Sequence, residues 1–165
     1  MISVASNGAR VREYCVEDQA ELLRLLRLMY QDMHSVYGGI PPALDVDWEQ
    51  HLVASIESRL GRDIAIFVVE GPQGKLASLA GGRVSEGLPS PRRRHTREGY
   101  IEWVVTDAEC RKRGHASAVI VRLLAWFRET EALSVGLNSS PAAESMYANL
   151  GFSAEGPRAF SIRLE

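Results

Sequence analysis

Cysteine is scarce in this sequence: only Cys15 and Cys110 occur among its 165 residues. Two thiols so far apart supply neither a disulfide framework nor a zinc-ligand pair, so both read as structural and, in a reducing compartment, free. Long apolar runs are also missing. No stretch offers the ~18 apolar residues of a membrane span, and the opening MISVASNGARVREY has no charged start followed by an apolar run, so the expectation is a cytoplasmic protein with no membrane partner. Charge of one sign is missing as well. Nineteen Lys and Arg face 21 Asp and Glu, a formal net charge of -2, so no overall field recommends nucleic acid as the partner, and anion binding has to be local. The four histidines, His34, His51, His95 and His115, show neither HxH nor HExxH spacing, and no metal site is expected. Neither GxxxxGK[ST] nor GxGxxG occurs, which removes the two best-known phosphate-binding signatures.

What is present is an ordinary globular composition, 45% hydrophobic and 24% charged, in an 18.2 kDa chain. A chain of this length buries roughly 70% of its unfolded surface and can hold a core without staples. No internal repeat or long linker divides it, so residues 1–165 read as one domain. Arg10 to Val16 is a strand candidate, with Asp18 as the N-cap of a helix whose stripe is Leu22, Leu25, Leu26, Met29 and Met33. The turn-rich YGGIPP from Tyr37 to Pro42 ends that helix. Asp47 caps a second, with Trp48, Leu52, Ile56 and Leu60 on one face and Gly61 closing it.

Ile64 to Glu70 and Lys75 to Val84 flank GPQG as a hairpin. A basic loop, PRRRHTR, follows; it reads as a solvated loop or as a lure for an anion. GYIEWVVT, from Gly99 to Thr106, is the most strand-like segment and the natural central strand. A third helix runs from Gly114 to Glu129, a short strand from Leu133 to Leu137, a fourth helix from Pro141 to Leu150 ended by Gly151, and a last strand from Arg158 to Leu164. This order predicts an α/β (α+β) fold: a mixed, largely antiparallel sheet of six to seven strands flanked by about four helices.

The informative unit is strand, TDAECRKRGHA, helix. Free N–H groups from Arg113 to Ser117 at a helix start, with Arg111, Lys112 and Arg113 adjacent, suit a pyrophosphate, although such a start is also commonly just a solvated terminus. Context decides in favour of a ligand. The strand YIEWVVT, the motif R-x-x-G-x-A at Arg111, Gly114 and Ala116, and M-Y-x-x-L-G-F at Met146, Tyr147, Leu150, Gly151 and Phe152 together resemble the GNAT superfamily of acyl-CoA-dependent N-acetyltransferases. The element order agrees from about Val11 to Leu164.

The resemblance implies acetyl-CoA as co-substrate and an amine acceptor, a small molecule or a peptide. It places the CoA pyrophosphate on Arg111, Lys112, Arg113, Gly114, His115, Ala116 and Ser117, and the pantetheine and thioester on Val104, Val105 and Thr106. It implies splayed strands, with a bulge at Val104 or Val105, and Tyr147 as general acid toward the departing thiolate; the alternative for Tyr147 is a packed aromatic. Glu102 is the candidate acceptor of the amine proton, directly or through water; the alternative is an exposed strand carboxylate or an ion pair. Ser140 stands where relatives carry a pantetheine-binding asparagine, and Asn138 is the nearby substitute. Cys110, beside the phosphate loop, is a poor nucleophile candidate, so direct transfer in a ternary complex is expected. A homodimer is compatible with the resemblance, without an identifiable interface. The rival readings are an acyl-CoA-sensing module of the same fold, and a nucleic-acid binder using Arg92, Arg93 and Arg94, which lacks an aromatic stacking platform. Residues Met33 to Trp48 and Leu88 to Glu98 are expected to shape the acceptor pocket.

Overall fold

The computed structural model describes residues 10–37, 47–89, 91, 94 and 96–154, residues 34–37 by their backbone alone. Strand β1 (Val11–Glu13) leads through a 3-10 turn at Val16–Asp18 into helix α1 (Gln19–Tyr37), then α2 (Trp48–Arg59). The hairpin β2 (Ile64–Glu70) and β3 (Leu76–Glu86) is followed by β4 (Arg97–Thr106), α3 (His115–Glu129), β5 (Ser134–Gly136) and α4 (Glu144–Asn149). Among the described residues the sheet has five strands in the order β1-β2-β3-β4-β5; the first three pairings are antiparallel and β4–β5 is parallel.

The described residues show five strands and not the expected six to seven. Five of the six strand segments read from the sequence are present, and the sixth, Arg158–Leu164, lies outside the described residues. Arg92, Arg93 and His95 of the basic loop and most of the YGGIPP turn lie outside them too. The fourth helix is shorter than expected, because Pro141–Ala143 forms a 3-10 turn before α4. Asp18 caps a different structure from the one expected: its carboxylate turns back to accept the Cys15 N–H at 2.9 Å and both Arg12 Nη groups at 2.6 and 2.8 Å. Asp47 occupies the N-cap of α2 without a side-chain cap bond.

Alternation along β2 explains how the sheet is sandwiched. Ile64, Ile66 and Val68 face a cluster with Leu22, Leu25 and Leu26 of α1 and Ile56 of α2, whereas Ala65, Phe67 and Val69 join Val119, Ile120, Leu123 and Phe127 of α3 and Tyr147 of α4. A strand covered on both faces reads as a continuous apolar run, which is why IAIFVVE shows no polar alternation. Phe127 lies directly on the backbones of β3 and β4. A Cβ at Gly82 would come to 2.7 Å of its ring and one at Gly99 to 2.6 Å, so only glycine admits the ring there. Burying such a side chain contributes about 2–3 kcal/mol.

Candidate active site at the opening between β4 and β5

Strand β4 is paired on both edges only in its first half. Its parallel register with β5 stops at Tyr100 opposite Gly136, while its antiparallel register with β3 continues to Thr106. From Ile101 onward the β5-side edge has no strand partner among the described residues. Asp107 N–H bonds Ala77 O at 2.9 Å, and Ser78 Oγ donates to Val105 O at 2.9 Å, so the backbone groups of Val105 and Asp107 face β3. By the alternation of the ladder, those of Val104 and Thr106 face the opening. The Thr106 carbonyl accordingly accepts from Arg111 Nε at 3.3 Å.

A bulge sits in the same strand. Gly81 pairs with Trp103 but Gly82 with Ile101, which leaves Glu102 as the extra residue. The expected position was Val104 or Val105; the bulge lies lower in the strand, where Gly81 lets Trp103 close in, since a Cβ there would meet the indole at 2.6 Å. Ile101 and Val104 pack with the α3 cluster, Trp103 and Val105 with the α1 cluster. Glu102 and Trp103 consequently line one cavity of about 150 Å3 against α2, with Ile56 and Ile66 as apolar wall and Arg59 and Arg83 as cations. Arg83 Nε donates to Glu102 Oε1 at 2.5 Å, and its guanidinium lies over the Tyr100 ring at 5.1 Å. Glu102 is therefore in an ion pair, one of the two alternatives the sequence left open. Arg59 binds Asp63 through Nε and Nη2.

At the far end of β4 the chain turns through a 3-10 turn, Ala108–Cys110, capped by Asp107 accepting from Glu109 N–H at 3.0 Å. Arg24 of α1 grips Asp107 at 2.6 Å and holds its carboxylate below the ordinary range, anchoring the loop root to the helix layer. Cys110 is buried there, as a structural thiol should be, whereas Cys15 is exposed. Arg111, Lys112, Arg113 and Gly114 are all exposed. Lys112 has φ 60° and Gly114, the N-cap of α3, φ 79°, a left-handed conformation that favours glycine. The first helix bond runs from Ala118 N–H to Gly114 O, which leaves the N–H groups of His115, Ala116 and Ser117 without partners within the helix. His115 Nδ1 is sealed from solvent without a hydrogen-bond partner. Arg111, read from sequence as a cation for phosphate, pairs with Asp32 of α1 at 2.7 Å.

Tyr147 is 9% exposed and packs edge-on against Phe152 at 5.7 Å in the cluster that Val104 also joins. Burial pushes its hydroxyl pKa above the ordinary value, so it stays protonated at neutral pH. Asn138 is exposed in the segment after β5, and Ser140 is the half-buried N-cap of the turn before α4, without a side-chain cap bond. The structure thus gathers Glu102, Val104, Val105 and Thr106 on one strand and Arg111 to Ser117 at its end. Arg59 and Arg83 went unread in the sequence; the Gly81-Gly82 pair inside a strand was the signal for a bulge and close approach.

The profile of the Acetyltransferase (GNAT) family matches residues 22–152, most of the chain. The chain belongs to this family. Solved structures agree in fold: a predicted acetyltransferase of Clostridium acetobutylicum, crystallised with acetyl-CoA, superposes with a TM-score of 0.75 at 18% identity over 93% of this chain and 95% of its own. Glucosamine-6-phosphate N-acetyltransferase of Arabidopsis thaliana gives 0.69 at 19% over 93% and 97%, and an acetyltransferase of Trypanosoma brucei 0.67 at 26% over 94% and 99%. No curated relative matches by sequence. GNAT acetyltransferases use acetyl-CoA and act on amine acceptors. Among the described residues no group of three or more His, Cys, Asp or Glu is placed to hold a metal, and no helix is long and apolar enough to cross a membrane.

Proposed function

We propose that the protein is an N-acetyltransferase that moves the acetyl group of acetyl-CoA onto a primary amine by direct attack in a ternary complex, with residues 1–165 forming one such domain. The observation that carries this reading is strand β4, whose upper edge, without a strand partner among the described residues, leads straight to a glycine-capped helix start. A helix N-terminus with three free N–H groups suits a pyrophosphate, and Gly114 leaves room for it to approach. Lys112 and Arg113, exposed beside it, add charge. The pantetheine would lie along Val104 to Thr106 as an added strand, with Asn138 and Ser140 across the opening. The Val104 N–H then meets the thioester carbonyl, where charge develops in the tetrahedral transition state.

The proton transfers complete the reaction. Glu102 takes a proton from the ammonium, directly or through water; the free amine nitrogen attacks the carbonyl carbon and the C–S bond breaks. Tyr147, protonated because buried, donates to the departing thiolate, and the second proton of the attacking nitrogen, lost as the amide forms, restores the phenol, so the one proton released overall is that taken by Glu102. Neither transfer needs a covalent acyl-enzyme, and Cys110 is buried at the wrong end of β4 to form one.

The test is a calorimetric titration with acetyl-CoA beside the variant Gly114→Asp, followed by thiol release across a panel of amines. Micromolar binding lost in the variant, with transfer to at least one amine, is the expected result. A folded protein that does not bind acetyl-CoA overturns the reading. Binding without transfer to any amine leaves an acyl-CoA-sensing module of the same fold.

A further inference from the structure

The cavity beside Glu102 carries information about the acceptor that the cofactor side does not. Its charged lining is a pair of opposite sign, Glu102 and Arg83, with Arg59 as a second cation and an apolar wall that includes Trp103. An acceptor amine arrives as an ammonium and has to reach the Glu102 carboxylate. That places a positive charge beside Arg83, which already occupies the carboxylate, and within the field of Arg59. Two cations would then share one anion, and Arg83 would lose its partner in a half-enclosed site. An acceptor that brings its own oxyanion removes the conflict: its ammonium takes Glu102 while its carboxylate or phosphate takes Arg83.

The donors for this exchange are present. Arg83 spends only Nε on Glu102, and Arg59 spends Nε and Nη2 on Asp63, so both Nη groups of Arg83 and Nη1 of Arg59 hold no acceptor among the described residues. A guanidinium with two free N–H groups binds a carboxylate or phosphate in bidentate fashion. The Tyr100 ring beneath Arg83 keeps its plane in place while the partners change. The cavity, about 150 Å3, suits a compact group rather than a long peptide.

Resting on the acetyltransferase reading above, we infer that the acceptor is a small zwitterionic amine, carrying a carboxylate or phosphate close to its amino group, recognised by ion-pair exchange with Glu102 and Arg83. The test compares acceptors that differ only in the anion: alanine against ethylamine and lysine against cadaverine for the carboxylate, phosphoethanolamine against ethanolamine for the phosphate. In at least one arm the anionic member should show kcat/KM at least about tenfold higher, and that arm identifies the anion. In Arg83→Gln the advantage should shrink to within about twofold, mostly through KM, and Arg83→Lys should restore part of it; Arg59→Gln gives a smaller loss and serves if Arg83→Gln fails to fold. Equal or better turnover of ethylamine, cadaverine and ethanolamine overturns the inference, as does an anion preference that survives both arginine variants. Acetyl-CoA binding separates the two readings. If acetyl-CoA binds and cationic diamines are preferred, only this inference fails; if acetyl-CoA does not bind, the acetyltransferase reading fails first.

Discussion

The two ends of β4 solve opposite problems. At its C-terminal end the candidate cofactor site is made of backbone: a loop, a left-handed glycine and the first N–H groups of α3, all within a few consecutive residues. At its middle the candidate acceptor cavity is made of side chains from α2, β2, β3 and β4, and a bulge turns Glu102 toward α2 beside Trp103. A backbone site tolerates many side chains but no change of conformation. A side-chain site tolerates no change of partner, and for the same reason can be retuned to a new substrate one residue at a time.

Gly114→Asp should break the contrast most sharply. A non-glycine residue at φ 79° is strained, and its carboxylate opposes a pyrophosphate, so acetyl-CoA affinity should fall by on the order of 100-fold while acceptor selectivity has no way to compensate. Calorimetry reads this directly. Tyr147→Phe should lower kcat about 100-fold with acetyl-CoA affinity unchanged; equal turnover would reduce Tyr147 to a core aromatic. Glu102→Gln should cut kcat about tenfold and again spare acetyl-CoA binding, a result that places the residue on the acceptor side alone.

Gly81→Val sharpens the comparison through packing. Its side chain would collide with Trp103, costing about 1–3 kcal/mol in denaturant melts, and should raise KM for the acceptor while leaving the cofactor affinity within about twofold. Smallest is the acid response of a pair that belongs to neither site. Arg12 holds the buried Asp18 carboxyl down at about 2, from an ordinary 3.8. A depressed carboxyl contributes stability above its unfolded pKa and loses it as pH falls through the folded one. The pair should therefore lose about 1–2 kcal/mol between roughly pH 4 and pH 2, and Asp18→Asn should flatten that stretch of the stability profile with no effect on either affinity.

Much of the fold was legible. Apolar spacing located α1, α2 and α3, since each helix buries one stripe, and the run IAIFVVE located β2. The R-x-x-G-x-A loop was legible because its groups are neighbours in the chain. One reading missed for a physical reason. Asp18 sits where a helix cap belongs, yet the bidentate approach of Arg12 from β1 drew its carboxylate away. The Asp32 partner of Arg111 was not legible, because it lies far off in sequence.

The sequence alone determined the elements, their order and the glycine-capped helix start, because periodicity, caps and left-handed turns depend on residues a few positions apart. Tertiary structure decided where β5 leaves β4, which residue the bulge displaces, and which cations stand beside Glu102. Those depend on register and on side chains brought together from distant segments, and no local pattern encodes them.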